Sequence, residues 1–531
     1  MKSHTELEVK FLVPPAARAG IAAELARGSA ARARIQLTAL YLDTPDRRLA
    51  QAGMAWRLRR EGRRWIQTLK AASTNALERF EHEAIRPGAT ADAAEHAGTR
   101  PGDQLIALLR RAHADGVEPV ERFRTEVRRK ARRIRTRGAV VEVAFDEGRV
   151  VSAGVSQRIR EIEFELVSGS PMAMLCLAER WRKRFALVYD PRSKAERGDR
   201  LADGALFPPL RKAGRLTYAD DAAATEAFGV VLDECLAQIT RNAIGLIEGD
   251  PAQRVEHVHQ LRVGIRRLRT ALRSFQGWVP TPPAELVENL RALFATLGMS
   301  RDSDVLGSGV LAELARAGAP ALELPPGPAG PDPVEVVRSA DTQRIFLAWI
   351  AWRSAFASAP VGARRTLGTD LPAKSETSDA VSPDADGSQV NAKPETVDND
   401  DPRTFRRNVA RRLRRWHTRI VSDWNSFDAL DDAGLHALRK RIKRQRYAVE
   451  FFAPLLRRRQ VERYLGALAV IQDLMGELND LFVARARYLT LGTPDPTAWF
   501  ALGWLAARIA EVRAIAKPKL AKLAKADPPK P

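Results

Sequence analysis

The stretch Arg160-Glu-Ile-Glu-Phe-Glu-Leu166 decides the fold of residues 1–200, because charged and apolar side chains alternate along all of it. Successive side chains of a β-strand point to opposite faces, so its glutamates would share one face and its apolar residues the other. The same period of two recurs in Glu6-Leu-Glu-Val-Lys-Phe11, Trp56-Arg-Leu-Arg59, Trp65-Ile-Gln-Thr-Leu-Lys70, Arg79-Phe-Glu-His-Glu83 and Val140-Val-Glu-Val-Ala-Phe145. This region is therefore predicted to be rich in strands, with helices near 15–27, 102–114 and 171–186.

The charged faces of these strands tend to carry one sign each. Like charges on directly opposed strand positions destabilise a sheet. Acidic and basic strands that face each other across a closed barrel would neutralise one another, and the interior would then be a polar tunnel. The alternative is an antiparallel sheet whose charged faces are solvated.

Phosphoryl transfer is the chemistry that such a tunnel suits. Arginine and lysine bind phosphate oxygens, and carboxylates bind the Mg²⁺ or Mn²⁺ that accompanies phosphates. Positioning and charge stabilisation carry most of this catalysis, so no covalent nucleophile is needed.

An ordered set of motifs then resembles the CYTH family, the triphosphate tunnel metalloenzymes, over about residues 1–205. The motifs are Glu6-x-Glu8-x-Lys10, Tyr41-Leu-Asp-Thr44, Arg57-x-Arg59, Thr68-Leu-Lys70, Arg79-x-Glu81, Glu142 with Asp146-x-Gly148, Glu161-x-Glu163-x-Glu165 and Ser193-Lys194-Ala-Glu-Arg197-Gly198. The resemblance implies an α+β domain, built as an eight-stranded antiparallel β tunnel with flanking helices. It also implies hydrolysis of a triphosphate with two divalent metal ions, Mg²⁺ or Mn²⁺.

The resemblance also implies roles for individual residues. Phosphates would be held by Lys10, Arg57, Arg59, Lys70 and Lys194, and metal by Glu6, Glu8, Asp146, Glu161 and Glu163, while Glu81 and Glu142 would line the tunnel. The strand at 122–130 allows two registers, of which we favour the one that makes Arg129 a phosphate ligand, with Arg124 as the alternative.

Members of the family include inorganic triphosphatases, thiamine triphosphatases and class IV adenylate cyclases. Trp56 or Trp65 could form an aromatic wall for thiamine, although both are equally consistent with ordinary strand packing. No stretch resembles a base-recognition motif, so the inorganic substrate is favoured.

The rest of the chain, from about Asp220, is helical in pattern and contains an internal repeat. His259-Gln-Leu-Arg262, followed by Arg266, Arg267 and Arg269, recurs 177 residues later as His436-Ala-Leu-Arg439, followed by Lys443, Arg444 and Arg446. Leu297-Gly298 with Asp302 recurs as Met475-Gly476 with Asp480. Two related helical bundles are therefore predicted.

Each repeat places a basic stripe along one helix face. The first stripe contains His259, Arg262, Arg266, Arg269 and Arg273, and the second contains His436, Arg439, Lys443 and Arg446. A solvated face with surface histidines is the simpler interpretation. However, the crowding of like charge is costly unless a polyanion neutralises it. The stripes lack the aromatic and Asn/Gln residues that read or stack on bases, so nucleic acid is disfavoured and inorganic polyphosphate is favoured.

These two motifs, with Leu297-Gly-Met-Ser-Arg-Asp302 and Gln472-Asp-Leu-Met-Gly-Glu-Leu-Asn-Asp480, resemble the CHAD family over about residues 219–515. That resemblance implies an all-α domain of two pseudo-symmetric four-helix bundles that binds polyphosphate in a basic groove. Arg411, Arg412 and Arg415 would extend the groove. A disordered acidic insertion is predicted at about 365–402, and the Pro- and Lys-rich tail after Lys517 is expected to fray.

Composition agrees with a polyanionic partner. The 531 residues contain 86 Lys and Arg but 65 Asp and Glu, which leaves a net charge of +21. Two cysteines, Cys176 and Cys235, exclude a disulfide framework or a cysteine-rich zinc site. The longest apolar run, 345–352, is too short to cross a membrane. With no signal-peptide pattern before Glu6, we expect a cytoplasmic protein that can associate with polyphosphate granules.

The sequence thus predicts a metal-dependent inorganic triphosphatase joined to a polyphosphate-binding module. A catalytically idle protein of polyphosphate granules is one alternative. An adenylate cyclase, thiamine triphosphatase or nucleoside triphosphatase with the same tunnel is another.

Overall fold

The computed structural model of the protein describes residues 2–27, 33–72, 78–319, 330–358, 401–489 and 496–531. The strands are β1 (Lys2–Leu12), β2 (Ala33–Asp43), β3 (Met54–Glu61), β4 (Arg64–Ala72), β5 (Glu78–Arg86), β6 (Val120–Thr136), β7 (Ala139–Ser152), β8 (Val155–Gly169) and β9 (Val188–Tyr189). The helices among them are α1 (Arg18–Leu25), α2 (Arg48–Gln51), α3 (Arg100–Ala114), α4 (Pro171–Phe185) and α5 (Lys194–Ala202).

Eight strands close into an antiparallel barrel. Their order is β5-β4-β3-β2-β6-β7-β8-β1, and β1 pairs with β5 to complete the ring. The short strand β9 pairs with the far end of β1, where Phe11 lies opposite Tyr189. Closure removes the open edges of the sheet. The predicted eight-stranded antiparallel tunnel with flanking helices is therefore confirmed.

The barrel carries its apolar side chains on the outside. Phe11, Phe145 and Phe164 are fully buried there, under α4 and α1, with Trp181 of α4 in edge contact with Phe164 at 5.8 Å between ring centroids. Burial of this outer surface drives folding of the domain. The alternating partners of these residues consequently point into the barrel, which makes the interior polar.

The remaining chain is helical, as predicted. Its helices are α6 (Ala224–Glu248), α7 (Arg254–Ser274), α8 (Ala284–Ser308), α9 (Val310–Arg316), α10 (Pro333–Arg338), α11 (Ala340–Ser358), α12 (Pro402–Asn425), α13 (Asp432–Phe452), α14 (Arg458–Leu489) and α15 (Pro496–Ala524). The long helices α6, α7, α8 and α11 form one bundle and α12–α15 form the other. One continuous apolar core joins them. The two repeated motifs begin on α7 and α13, the corresponding helices of the two bundles.

The chain also contains the predicted acidic insertion between the bundles and the C-terminal tail. The insertion predicted at about 365–402 lies outside the described residues except for Asp401 and Pro402, where Asp401 caps α12 by accepting a hydrogen bond from the Thr404 amide at 2.9 Å. The prediction of a frayed tail is wrong, because α15 continues to Ala524 and the Lys530 carbonyl accepts a hydrogen bond from the Arg457 amide at 3.0 Å. Within the described segments, no helix combines the length and apolar character that crossing a bilayer requires.

A buried histidine pair lies outside the barrel, under the loop before α3. His82 of β5 and His96 share a hydrogen bond of 2.7 Å between their Nδ1 atoms, and their rings meet edge to face. One ring must donate and the other accept, so the bond requires a neutral imidazole. Burial, together with the neighbouring His82, lowers the pKa of His96 to about 4.

We predict that this pair makes stability depend on pH. An unfolded histidine binds a proton near pH 6.5, whereas folded His96 binds one near pH 4. Its contribution is therefore fully present above about pH 6.5 and is lost as the pH falls towards 4, by as much as roughly 3 kcal/mol. His96→Asn should flatten this part of the pH profile in chemical denaturation, whereas His113→Asn, at an exposed histidine, should not. An unchanged profile for His96→Asn would contradict the assignment.

Candidate active site

A cavity of about 1270 Å³ runs through the barrel and is lined mainly by charged side chains. Every barrel strand contributes, and β2, β3 and β6 also bring apolar or aromatic residues to the wall, among them Leu37, Tyr41, Met54 and Phe123. Of the residues predicted for the tunnel, the structure brings to the cavity wall Glu6, Glu8, Lys10, Arg57, Arg59, Lys70, Glu81, Arg129, Glu142, Asp146, Glu163 and Lys194. Glu161 lies just behind them, fully buried.

The densest charge cluster, here called the acidic cluster, consists of Asp146, Glu161 and Glu163. Each residue has a carboxylate oxygen within 4.8 Å of the others. The cluster forms because Asp146 and Glu161 are directly opposed on β7 and β8, with Glu163 two residues further along the same face. Nζ of Lys194 lies between the three carboxylates, at 2.7 Å from Asp146, 2.5 Å from Glu161 and 2.7 Å from Glu163.

Arg129 binds the same cluster from the opposite side. Its guanidinium donates to both Asp146 oxygens, at 2.8 and 2.7 Å, and to Glu163 at 2.6 Å. Burial opposes charge on Glu163, but Lys194 and Arg129 hold the pKa of this carboxyl well below its usual range. Burial likewise opposes charge on Lys194, yet the three carboxylates raise its pKa well above the ordinary value. Lys194 and Arg129 likewise lower the pKa of Asp146 against the effect of burial, and together these two cations offset two of the three negative charges of the cluster.

The acidic cluster fits a hard divalent cation. Mg²⁺ and Mn²⁺ prefer oxygen ligands of this kind. Oε1 of Glu161 is buried and accepts no well-directed hydrogen bond, although the Lys194 ammonium lies close to it as an ion-pair partner. A cation placed among Asp146, Glu161 and Glu163 would satisfy that oxygen.

The facing part of the wall contains a second network. Lys70 of β4 donates to Glu6 at 2.5 Å and lies 3.4 Å from Glu81, which in turn lies 3.5 Å from Arg57. Glu6 and Glu81 raise the pKa of Lys70 against the effect of burial. Glu8 is held less closely, at 3.9 Å from Arg79. The predicted metal ligands Glu6 and Glu8 thus lie apart from the acidic cluster, on a separate strand.

Among the predicted phosphate ligands, Lys10 and Arg59 are the ones whose pKa values are lowered. Burial lowers the pKa of Lys10, although Glu8 partly offsets the effect. Burial and the neighbouring Arg57 also lower the pKa of Arg59, which lies 2.6 Å from Glu61. A nearby anion such as phosphate would stabilise the charged forms of these two buried side chains.

Two charged residues at the tunnel were not among the site residues predicted from the sequence. Glu165 faces the cavity beside Glu142, and burial, with Glu6 and Glu142 nearby, raises its pKa to about 7. Arg197 donates to Glu161 at 3.2 Å. The period of two already placed Glu165 on the charged face, and Arg197 stood in the quoted Ser193–Gly198 motif without an assigned role.

The structure decides between the two registers that the sequence allows for β6. Arg129 points into the tunnel, whereas Arg124 lies outside and forms an exposed pair with Glu121 at 2.6 Å. Trp56 packs on the outer apolar cluster with Leu69 and Leu105, and only 4% of it is exposed.

The first basic stripe lies on α7 as predicted from helical spacing. Arg262, Arg266 and Arg269 surround the ring of Phe294, with guanidinium carbons 4.7, 5.8 and 5.8 Å from its centroid. Burial and the adjacent Arg273 lower the pKa of Arg269. His259 shares the same half-buried face, and Arg273 at its end is exposed.

The second stripe lies on α13, which packs against α7. His436 is exposed and shares a 3.1 Å hydrogen bond with Asn479 of the downstream motif. Arg439 and Lys443 follow it on the same face, half-buried, and Arg446 binds Glu450 at 3.0 Å.

Two arginines near the stripes are structural. Arg267, on the opposite face of α7, is buried and pairs with Glu450 across the two bundles. Arg412 stacks 3.7 Å from the Trp278 centroid and donates to the Ser274 carbonyl at 2.6 Å. The guanidinium of Arg412 is thus engaged by protein groups, whereas Arg411 and Arg415 are exposed on α12, and the extension of the groove by these arginines stays a prediction.

Comparison with known proteins adds the following similarities. The inorganic triphosphatase of Haemophilus influenzae is 28% identical over 163 residues, which are 30% of this chain and 44% of that protein. The match therefore spans less than half of the relative's length. The CHAD domain structure from Ricinus communis is 27% identical, covering 61% of this chain and 99% of that one, with a TM-score of 0.42. A Hippeastrum structure, assigned as an adenylyl cyclase and described as having a dominant triphosphatase activity, is 19% identical. It covers 38% of this chain and 98% of that one, with a TM-score of 0.29.

Two domain families match the chain in succession. Residues 4–198 match the CYTH domain and residues 230–489 match the CHAD domain. These ranges agree with the barrel and with the two helical bundles. The chain belongs to the proteins in which a CYTH domain is followed by a CHAD domain.

Proposed function

We propose that the protein hydrolyses inorganic triphosphate to diphosphate and phosphate in its tunnel, with Mg²⁺ or Mn²⁺, and binds inorganic polyphosphate through its helical domain. The observation that carries the catalytic part is the acidic cluster, enclosed in a cavity whose walls are otherwise rich in lysine and arginine.

The tunnel residues would act mainly by binding and orientation. Lys10, Arg57 and Arg59 present desolvated or partly neutralised cations to phosphate oxygens, and Lys70 and Arg129 add donors from neighbouring strands. These groups would stabilise the negative charge that develops on the leaving diphosphate. A metal ion held by Asp146, Glu161 and Glu163, with Glu6 and Glu8 as further candidates, would supply Lewis-acid polarisation and a water of lowered pKa. The enclosing walls would limit access of bulk water.

We predict that Glu163→Gln abolishes metal-dependent triphosphate hydrolysis. The change keeps the size of the side chain but removes one of the three carboxylates of the acidic cluster, so kcat should fall by at least about a hundredfold. Phosphate release should be measured with Mg²⁺ and Mn²⁺ on triphosphate, thiamine triphosphate, ATP and long polyphosphate. The matched control is Glu126→Gln, which removes an outward-facing pair with Arg149. Equal turnover in the two variants would exclude the acidic cluster as the metal centre.

We also predict that the Lys194 ammonium competes with metal for the acidic cluster. It occupies the space between the three carboxylates in the substrate-free protein. Lys194→Met should therefore raise Mn²⁺ affinity, measured without substrate by electron paramagnetic resonance of free Mn²⁺, by about tenfold, which is roughly 1.4 kcal/mol. Lys194→Arg, which keeps the charge, should not raise it. Unchanged or weaker Mn²⁺ binding by Lys194→Met would show that the ammonium does not compete.

The polyphosphate part of the proposal is supported by the basic stripes. Arg269 is held among other cations near Phe294 and Arg273, where no described carboxylate forms a salt bridge with it. A polyanion would relieve this repulsion. The cations on α7 and α13 are not interleaved with exposed aromatic side chains, which favours a polymer without bases.

We predict that Arg269→Glu combined with Arg439→Glu weakens polyphosphate binding by at least about tenfold at physiological salt, with a shallower salt dependence because fewer phosphates are neutralised. Fluorescence anisotropy of labelled polyphosphate would measure it. The control is Arg458→Glu, an exposed arginine outside both stripes. Loss of binding with the control but not with the stripe variant would place the site elsewhere. Equal competition by DNA at equal phosphate concentration would favour nucleic acid.

A further inference from the structure

The tunnel cavity is lined by residues of both domains. One face of α6, the first helix of the helical domain, contributes Leu236, Ala237, Thr240 and Arg241 to its wall. These positions recur at the spacing of successive helical turns, so a single side of the helix faces the cavity. The helical domain therefore shapes the site that the barrel contains.

Arg241 makes the most specific contact across this boundary. Both of its terminal nitrogens donate to the Glu196 carboxylate, and the Nη2–Oε2 distance is 2.9 Å. Burial raises the pKa of Glu196, but the bonded Arg241 holds it below its usual range. A bidentate arginine–carboxylate pair restricts orientation as well as distance.

Glu196 belongs to α5, the helix that presents cations to the acidic cluster. Lys194 and Arg197 of α5 both reach Glu161, at 2.5 and 3.2 Å. On the barrel side α5 is fixed by Gly198, where a Cβ would lie 2.1 Å from the Phe123 ring, and by Asp199, which binds Arg47. On the side of the helical domain, α5 is anchored by Arg241.

Further contacts around this pair hold the barrel and the helical domain together. The Tyr189 amide donates to Gln343 of α11 at 2.8 Å, and Arg192 binds Glu248 of α6 at 2.5 Å. Leu347 and Ile350 of α11 are buried in the core of the barrel domain. The helical domain is therefore packed directly against the barrel.

We propose that Arg241 of the helical domain is a positioning residue for the tunnel: through Glu196 it fixes α5 and thereby places the Lys194 ammonium at the acidic cluster. The proposal rests on the proposed hydrolytic function for its kinetic consequence, but its structural consequence is independent of the substrate. In this arrangement the CHAD domain completes the active tunnel in addition to binding a polymer.

The test uses the full chain and two readouts. Arg241→Ala should lower kcat for triphosphate by about tenfold while changing KM by less than about threefold, because misplacement of a charged group affects the transition state most. It should also raise Mn²⁺ affinity in the absence of substrate, since a less fixed Lys194 leaves the carboxylates more available. The double variant Glu196→Arg, Arg241→Glu exchanges the two charges. It should restore most of the wild-type kcat and of the wild-type Mn²⁺ affinity.

The control is Arg441→Ala, which breaks a comparable pair with Asp423 within the helical domain and should change neither readout. If Arg241→Ala does not fold, Glu196→Gln replaces it. Unchanged kcat and unchanged Mn²⁺ affinity in folded variants would overturn the proposal. Raised Mn²⁺ affinity in a protein whose wild type does not hydrolyse triphosphate would support the positioning role and reject the proposed substrate.

Discussion

The structure depends on the neutralisation of charges that are buried inside a closed barrel. An isolated carboxylate or ammonium taken out of water costs several kcal/mol, and only close opposite charges offset that cost. Lys194 between Asp146, Glu161 and Glu163, with Arg129 on the other side, satisfies this condition without a ligand. The outer apolar surface under α4 then stabilises the barrel, and the charged lining remains available for a phosphate chain and its counter-ions.

The same neutralisation makes the tunnel responsive to what binds in it. Lys194 and Arg129 are already paired with the carboxylates of the acidic cluster. An incoming metal ion must therefore displace one of these cations, and an incoming phosphate must attract the displaced cation. The two ligands would consequently favour each other's binding, because each releases a partner that the other uses. Lys194 is the group through which this exchange would take place.

The two domains handle their positive charge in opposite ways. Several barrel cations, among them Lys70, Arg129 and Lys194, are paired with carboxylates, whereas the stripes on α7 and α13 place like charges side by side over Phe294 and along one face. The second stripe ends at Glu450, which binds both Arg446 and Arg267. Because Arg267 belongs to the first bundle, this carboxylate also joins the two bundles. A tunnel of paired charges suits a short chain that is cut, and a stripe of neighbouring like charges suits a long chain that is held.

The sequence by itself determined the strand faces and the helical repeat. A period of two or of 3.6 residues assigns each side chain to a face by local geometry alone, which is why Glu165 and the stripe on α7 could be placed before the fold was known. Only the tertiary structure decided which arginine of β6 points inwards, that Arg412 stacks on Trp278, and that Arg241 of the helical domain binds α5 at the tunnel. These outcomes depend on strand register, on barrel closure and on contacts between residues far apart in the chain, and no local period encodes them.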